Sequence, residues 1–376
     1  MKTFIYFQVK GSSTMVDERI KRLAKILVEH STRVKKGDKV VISGDVVAEH
    51  LITEVYRLCM KKGAYPAVHA HLPGMTQIYY KHASPEQLKK FPDVAMFESK
   101  NADVFIGVWG TTNTRELSGI DPKKISIRSK TVDPISKVRM KKRWVGCDFP
   151  TNALAMEAEM SLEEYTDWFF NACNIDYNAL QRKYAKLKAI IDRASEVRIV
   201  GKNTDLTLSV KGMSAIDRQG DKNIPDGEVF TAPEKYKTEG HIEFSYPAIK
   251  GSNEIDGIRL EFRKGKVVKA SATKNEKFLK TMLNTDPGAS YLGELGIGVN
   301  YNITKYTKNL LFDEKIGGTV HLALGMAYPE CYKKNPSQGN NSALHWDIVK
   351  DLRPKAGGGK IIVDGKVIQK DGKFRL

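Results

Sequence analysis

The stretch "DKVVISGDVVAEHLITEVYRLCMKKGA", residues 38–64, decides the fold class. It opens with a short β-branched strand, "DKVVISGD". The segment after it reads as a helix that stops at Gly63, where a left-handed cap fits. On its N-terminal side, "DERIKRLAKILVEHSTRV" (residues 17–34) places apolar residues at helical spacing. On its C-terminal side, "YPAVHAHL" and "ADVFIGVWG" read as further strands. Strands separated by helices imply parallel pairing through right-handed crossovers. The first half is therefore expected to be an α/β domain on a parallel sheet.

A chain of 376 residues is past the size at which one core usually divides, so two domains are expected. "MSLEEYTDWFFNACN" starts a helix, with Ser161 and Glu164 at capping-box spacing. The long basic helix "YNALQRKYAKLKAIIDRA" follows as a bridge. Beyond it the texture changes to short strands and turns: "RIVGKNTDLTLSV", "GIRLEFRKGKVVKASA" and "GKIIVDGKVIQKDGKFRL". The KG and DG pairs between alternating residues are hairpin signals. The cut is placed at residue 193. An α/β domain including the bridging helix spans 1–193, and a β-rich α+β domain spans 194–376.

Neither phosphate-cradling motif is present. "ISGDVVAEHL" has a single glycine where a dinucleotide site needs G-x-G-x-x-G, and "AGGGKIIVDG" runs into a hairpin instead of opening a helix. Hydrophobic residues at 41% and charged residues at 28% describe an ordinary globular protein. Lys and Arg number 61 against 44 Asp and Glu, a net charge of +17. These cations are dispersed in pairs, as in "KKGDK", "MKKRW" and "CYKKN", so a nucleic-acid partner is not expected. Cys59, Cys147, Cys173 and Cys331 are scattered without C-x-x-C spacing, which argues against a zinc ribbon or a disulfide framework. The N-terminus "MKTFIYFQVKGSSTMVDERIKRLAK" lacks the pattern of a secretory signal, and no run approaches a membrane span. A cytoplasmic location is expected.

Four stretches of the second half hold polar residues in apolar settings. "NIPDGEVFTAP" presents Glu228, and "SYLGELGIGVN" presents Glu294 among glycines and aliphatics, where a lone carboxylate is costly unless paired or bound to a cation. "GTVHLALGMAY" presents His321 and Tyr328, and "NNSALHWDI" presents His345 and Asp347. The last two lie at i and i+2 of a strand and share one face, as two ligands of an ion or as a buried histidine with its carboxylate partner. Each residue alone has an ordinary reading: a solvated turn, a loop carboxylate, a satisfied core histidine, or packing. Together, three carboxylates and two imidazoles match the oxygen and nitrogen ligand set of a two-metal hydrolytic site.

The ordered runs "DGEVFTAP", "LGELGIGVN", "DEKIGGTVHLALGMAY" and "NNSALHWD" resemble the aminopeptidase T and aminopeptidase S family of metallo-exopeptidases. The likeness extends through "LAKILVEHSTRVKKGDKVVISGD" and "WVGCDFPTNALAMEAEMSLEEY", and so over nearly the whole chain. It implies that Glu228, Glu294, His321, Tyr328, His345 and Asp347 occupy the family's metal-site positions. It also implies a two-domain form with the metals in the second domain, and a homodimer.

The activity expected is release of N-terminal residues from short peptides with a free N-terminus. It would use two divalent ions per chain, with zinc, cobalt and manganese all acceptable to these ligands. Tyr328 would ligate a metal or donate to the oxyanion, and Glu314 of "DEKIGG" is the candidate general base, against its reading as an exposed charged turn. The alternative enzyme on this scaffold is a mononuclear Fe(II) ring-cleaving dioxygenase using His321, His345 and Asp347. Both glutamates, Glu228 and Glu294, speak for two metals instead.

Overall fold

The computed structural model describes residues 17–251 and 253–376. The stretch 1–16, where a signal segment was looked for, lies outside the described residues. In the first half, β1 (Lys39–Asp45), β2 (Tyr65–His71), β3 (Val104–Trp109) and β4 (Arg143–Asp148) form a sheet in the order β2-β1-β3-β4, every pair parallel. Helices α1 (Glu18–Lys25) and α2 (Glu49–Lys61) pack Leu23, Leu51 and Val55 into one core with Val40, Ile42 and Ile106. Gly63 takes φ 73°, and its N–H donates to Met60 O at 2.9 Å, so the cap forms as the sequence requires.

After α1 the helix widens into a π-turn over Ile26–Ser31. The Thr32 N–H donates to Leu27 O at 3.2 Å, five residues back, and the Thr32 hydroxyl donates to the same oxygen at 2.7 Å. A β-branched hydroxyl competing for that carbonyl accounts for the change of register, which apolar spacing alone does not reveal.

The capping box at Ser161 and Glu164 opens α3 (Leu162–Cys173) as expected. The bridging helix α4 (Tyr177–Arg193) begins with Tyr177 in the first core. It ends with Tyr184, Leu187 and Ile191 in the second, against Val197, Ile199 and Leu206. The second half also returns a short strand, Asn223–Ile224, to the first sheet, where it pairs parallel with β4.

The other strands of the second half form an eight-stranded sheet, a five-stranded sheet and a two-stranded ribbon of Ala248–Lys250 with Asn253–Ile255. In the first of these, the pairs Lys264–Gly265, Asp364–Gly365 and Asp371–Gly372 all take positive φ, from 46° to 79°, as two-residue hairpin turns demand. The five-stranded sheet has the order β8 (His345–Asp351), β7 (Thr319–Gly325), β6 (Leu292–Gly298), β5 (Glu228–Thr231) and the edge strand Ile216–Arg218, each pair antiparallel. One face sends Leu295, Ile297, Leu322, Leu324, Trp346 and Ile348 into the core it shares with the larger sheet.

The loop between β6 and β7 clasps the first half. The Asn300 amide donates to Ala172 O at 3.2 Å and to Asp226 O at 2.9 Å. Ile303, Phe312 and Ile316 enter the first core, and the Phe312 ring lies 4.8 Å from Trp168 and 5.6 Å from Phe169 between centroids. Because Phe312 is fully buried, Phe312→Ala is expected to destabilise the protein by about 3–5 kcal/mol. Denaturant unfolding checks this, and a loss within experimental error of wild type would contradict the clasp.

Candidate metal centre

The strand registers place five of the residues singled out from sequence on one face. Gly298 lies opposite Glu228, Gly296 opposite His321, Ala323 opposite both Glu294 and Asp347, and Gly325 opposite His345. Side chains two apart on a strand, and directly opposed across an antiparallel pair, share a face. The apolar core takes the other face, so Glu228, Glu294, His321, His345 and Asp347 all project together. Between them stand Gly296, Gly298, Ala323 and Gly325, with Phe230 opposite Gly296 on one side and Val349 opposite His321 on the other. A Cβ on Gly296 would sit 1.8 Å from His321 Nε2, so glycine there is required by the imidazole itself.

The donor atoms converge. His321 Nε2 donates to Glu294 Oε1 at 3.1 Å and lies 3.2 Å from Glu228 Oε2. His345 Nε2 is 3.8 Å from Glu294 Oε2 and 3.3 Å from Asp347 Oδ2. Three sets each have ligand atoms within 4.8 Å of one another: Glu228, Glu294 and His321; Glu294, His345 and Asp347; and Glu314, His321 and Asp347. Glu294 belongs to two of them, turning one oxygen toward each histidine.

The residues fit a cation on two observations. Glu294 Oε2 and Asp347 Oδ1 are buried without a hydrogen-bond partner, which protein interiors rarely tolerate, and Glu228 Oε2 has only the His321 imidazole 3.2 Å away. In addition, His345 Nδ1 donates to Met326 O at 2.8 Å, which fixes the ring and leaves Nε2 facing the carboxylates, the arrangement usual for a metal-ligating histidine.

The cluster's electrostatics point the same way. Burial opposes charge on His345, yet the carboxylate of Asp347 raises its pKa to about 9. Asp347 is held down at about 2, against its own burial, by His345. Burial pushes Glu294 up, while Lys315 and His321 hold Glu228 below the usual range despite burial.

Glu314 is not an exposed turn residue. It is mostly buried at the end of the short helix α5 (Leu310–Asp313), and burial raises its pKa to about 7. Tyr328 stands at the rim, its ring 4.9 Å from that of His345 and 5.7 Å from that of Phe230. Burial also raises the Tyr328 phenol, so it keeps its proton.

Two residues of the cluster escape sequence reasoning. Lys315 is fully buried, with Nζ against Glu314 and 3.7 Å from Glu228 Oε1. Asp226, also fully buried, accepts from the Gly227 and Gly220 N–H groups at 2.8 Å each. The signal for Lys315 was a lysine four residues before β7 begins at Thr319. In a lysine-rich chain that signal is lost.

An α/β unit joined to a β-rich unit with a convergent carboxylate and imidazole set is a build suited to a metal-dependent enzyme. The chain belongs to the M29 family of thermophilic metalloproteases, whose family model matches residues 16–374. It is 25% identical over 408 residues to Aminopeptidase 2 of Geobacillus stearothermophilus, covering 95% of each chain. It is 26% identical to Aminopeptidase AmpS of Bacillus subtilis, covering 83% of this chain and 85% of that one. Over 189 residues, 45% of each chain, it is 33% identical to Aminopeptidase T of Thermus thermophilus.

Among solved structures, wild-type AmpT from Thermus thermophilus superposes with a TM-score of 0.83 at 23% identity, over 96% of this chain and 99% of that one. A 2,5-dihydroxypyridine dioxygenase from Pseudomonas putida superposes with a TM-score of 0.60 at 13% identity, over 94% and 96%. Both are likenesses of fold.

Gly296→Ala tests the packing that sets the cluster. The added methyl must displace the His321 ring. The variant is expected to fold but to bind divalent metal about 10–100-fold more weakly, as when a group orienting a ligand is lost. Elemental analysis after dialysis against a metal buffer reads this, and wild-type metal content would refute it.

Proposed function

We propose that the chain is a metal-dependent aminopeptidase that releases N-terminal residues from short peptides. The observation that carries this reading is the set of buried donor atoms without partners on one face of the five-stranded sheet, in a chain of a metalloprotease family. The aminopeptidase relatives support the choice of an exopeptidase.

Two ions fit better than one. Within the buried cluster the carboxylates of Glu228, Glu294, Glu314 and Asp347 face the ammonium of Lys315, while Lys250 Nζ lies behind His345 and donates to its carbonyl at 3.1 Å. One divalent ion leaves negative charge buried in excess, and a second removes it. Glu228, Glu294 and His321 would hold one ion, and Glu294, His345 and Asp347 the other, with Glu294 shared and Tyr328 at the rim. The ligand types suit zinc, cobalt or manganese. A one-iron oxygenase needs only His321, His345 and Asp347 and gives no use to the two buried glutamates.

When bound, such ions supply Lewis acidity, which polarises a scissile carbonyl and makes water a nucleophile near neutral pH. The chain's own residues do the rest. Glu314, mostly buried and poised near neutrality, takes a proton from the attacking water and returns it to the leaving amine. Tyr328, at the rim beside His345, would donate its hydroxyl to the oxyanion.

In this reading the metals lie in the second domain, 194–376. Four buried free cysteines suit a reducing cytoplasm. A homodimer is supported by the uncovered strand β2, whose Tyr65, Val68 and neighbouring Leu72 are exposed where parallel sheets are normally covered. No helix among the described residues is long and apolar enough to cross a membrane.

Chelation is expected to abolish hydrolysis of an amino-acyl reporter and added divalent metal to restore it, while an acetylated substrate stays uncut. Full activity after verified metal removal, or equal rates on free and acetylated peptides, would refute the assignment. Glu314→Gln is expected to lower kcat by roughly 10²–10⁴ with metal content unchanged. A wild-type kcat would remove Glu314 from the mechanism.

A further inference from the structure

Lysine is among the residues least often fully buried, and Lys315 has no exposed surface. Its backbone is fixed on both sides. Its carbonyl accepts from Asn300 N at 3.1 Å, its own N–H donates to Phe312 O at 3.0 Å, and the adjoining Phe312 and Ile316 lie in the first core. The side chain therefore cannot swing out to water without unpacking the clasp between the two halves. It turns inward instead, placing Nζ against Glu314 and 3.7 Å from Glu228 Oε1. Glu228 keeps its second oxygen, Oε2, for the cluster's interior.

We propose that Lys315 is a built-in counter-cation of the metal centre, which holds the carboxylates together before metal enters and repels the ions once they are bound. The inference rests on the metal-centre reading above and adds a role to a residue outside the ligand set.

The physical basis is direct. Several buried carboxylates on one sheet face repel one another, and in the metal-free protein a fixed ammonium among them offsets part of that repulsion. Metal supplies the same compensation in excess. The lysine is then a like charge beside the ions, so the chain trades metal affinity for a site already assembled without metal. The ammonium sits against the carboxylate of Glu314 and 3.7 Å from Glu228 Oε1, so two acidic side chains offset its removal from water. This makes Lys315 a positioning residue: it acts through Glu228 and Glu314 and is assigned no contact with substrate.

The test compares melting temperatures of the full chain, metal-free and zinc-saturated, for wild type and Lys315→Met, with zinc affinity from calorimetric titration. Metal-free Lys315→Met is expected to melt roughly 10 °C or more below metal-free wild type. With zinc bound, the gap should shrink to less than half, and zinc should bind roughly tenfold or more tightly than to wild type. Removing one negative charge along with the positive one, in Lys315→Met/Glu314→Gln, should restore more than half of the metal-free loss.

An equal loss with and without zinc would mean that Lys315 only fills space, and weaker zinc binding would mean that it orients ligands. Either result overturns the proposal. If the single variant fails to fold without metal, the double variant decides: folding supports the counter-cation and failure to fold refutes it. Wild-type protein that binds neither zinc nor manganese would overturn the metal-centre reading and this inference together.

Discussion

Negative charge gathered out of water on one face of a five-stranded sheet is the constraint that the second half of the chain is arranged around. Glu228, Glu294 and Asp347 project from three strands onto the same face, and Glu314 is brought to them from the loop before β7. Carboxylates so placed are stable only with compensation. The two imidazoles and one buried ammonium supply part of it, and the donor atoms left over leave a place for cations. Space is also required. The glycines and the alanine between the donors provide it, most visibly at Gly296, where any side chain would collide with the ring of His321.

The same constraint explains how the two halves are joined. Glu314 and Lys315 lie on a loop, which by itself is a poor place for a residue that must be held closely. The loop is made rigid by sinking Phe312 and Ile316 into the first core and by the two hydrogen bonds of Asn300. The α/β unit thus acts as an anvil for the site. Its strand β4 reaches the same loop through Asp148, whose carboxylate accepts from the Asn309 amide at 2.6 Å.

What the sequence discloses follows from the range of the interactions concerned. The Gly63 cap, the Ser161 capping box and the two-residue hairpin turns are set by residues a few positions apart, so they could be read directly, and the parallel sheet followed from the alternation of strands with helices. The polar residues of the candidate site stood out for another reason, since charge inside an alternating apolar strand is costly enough to demand an explanation. The burial of Lys315 and Asp226 was not legible. It depends on a loop folding back across more than a hundred residues onto α3, and no local pattern records that. A two-residue strand such as Asn223–Ile224 is too short to show a period, and its return to the first sheet is likewise a tertiary event. The π-turn after α1 was hidden because its cause is one hydroxyl, not an apolar spacing.

Anomalous diffraction from crystals of the metal-loaded protein tests the proposed pair of divalent cations sharing Glu294. The account predicts two peaks in each chain, one bounded by Glu228, Glu294 and His321 and the other by Glu294, His345 and Asp347. A single peak at full occupancy among His321, His345 and Asp347, with Glu228 and Glu294 turned away from it, would contradict the account.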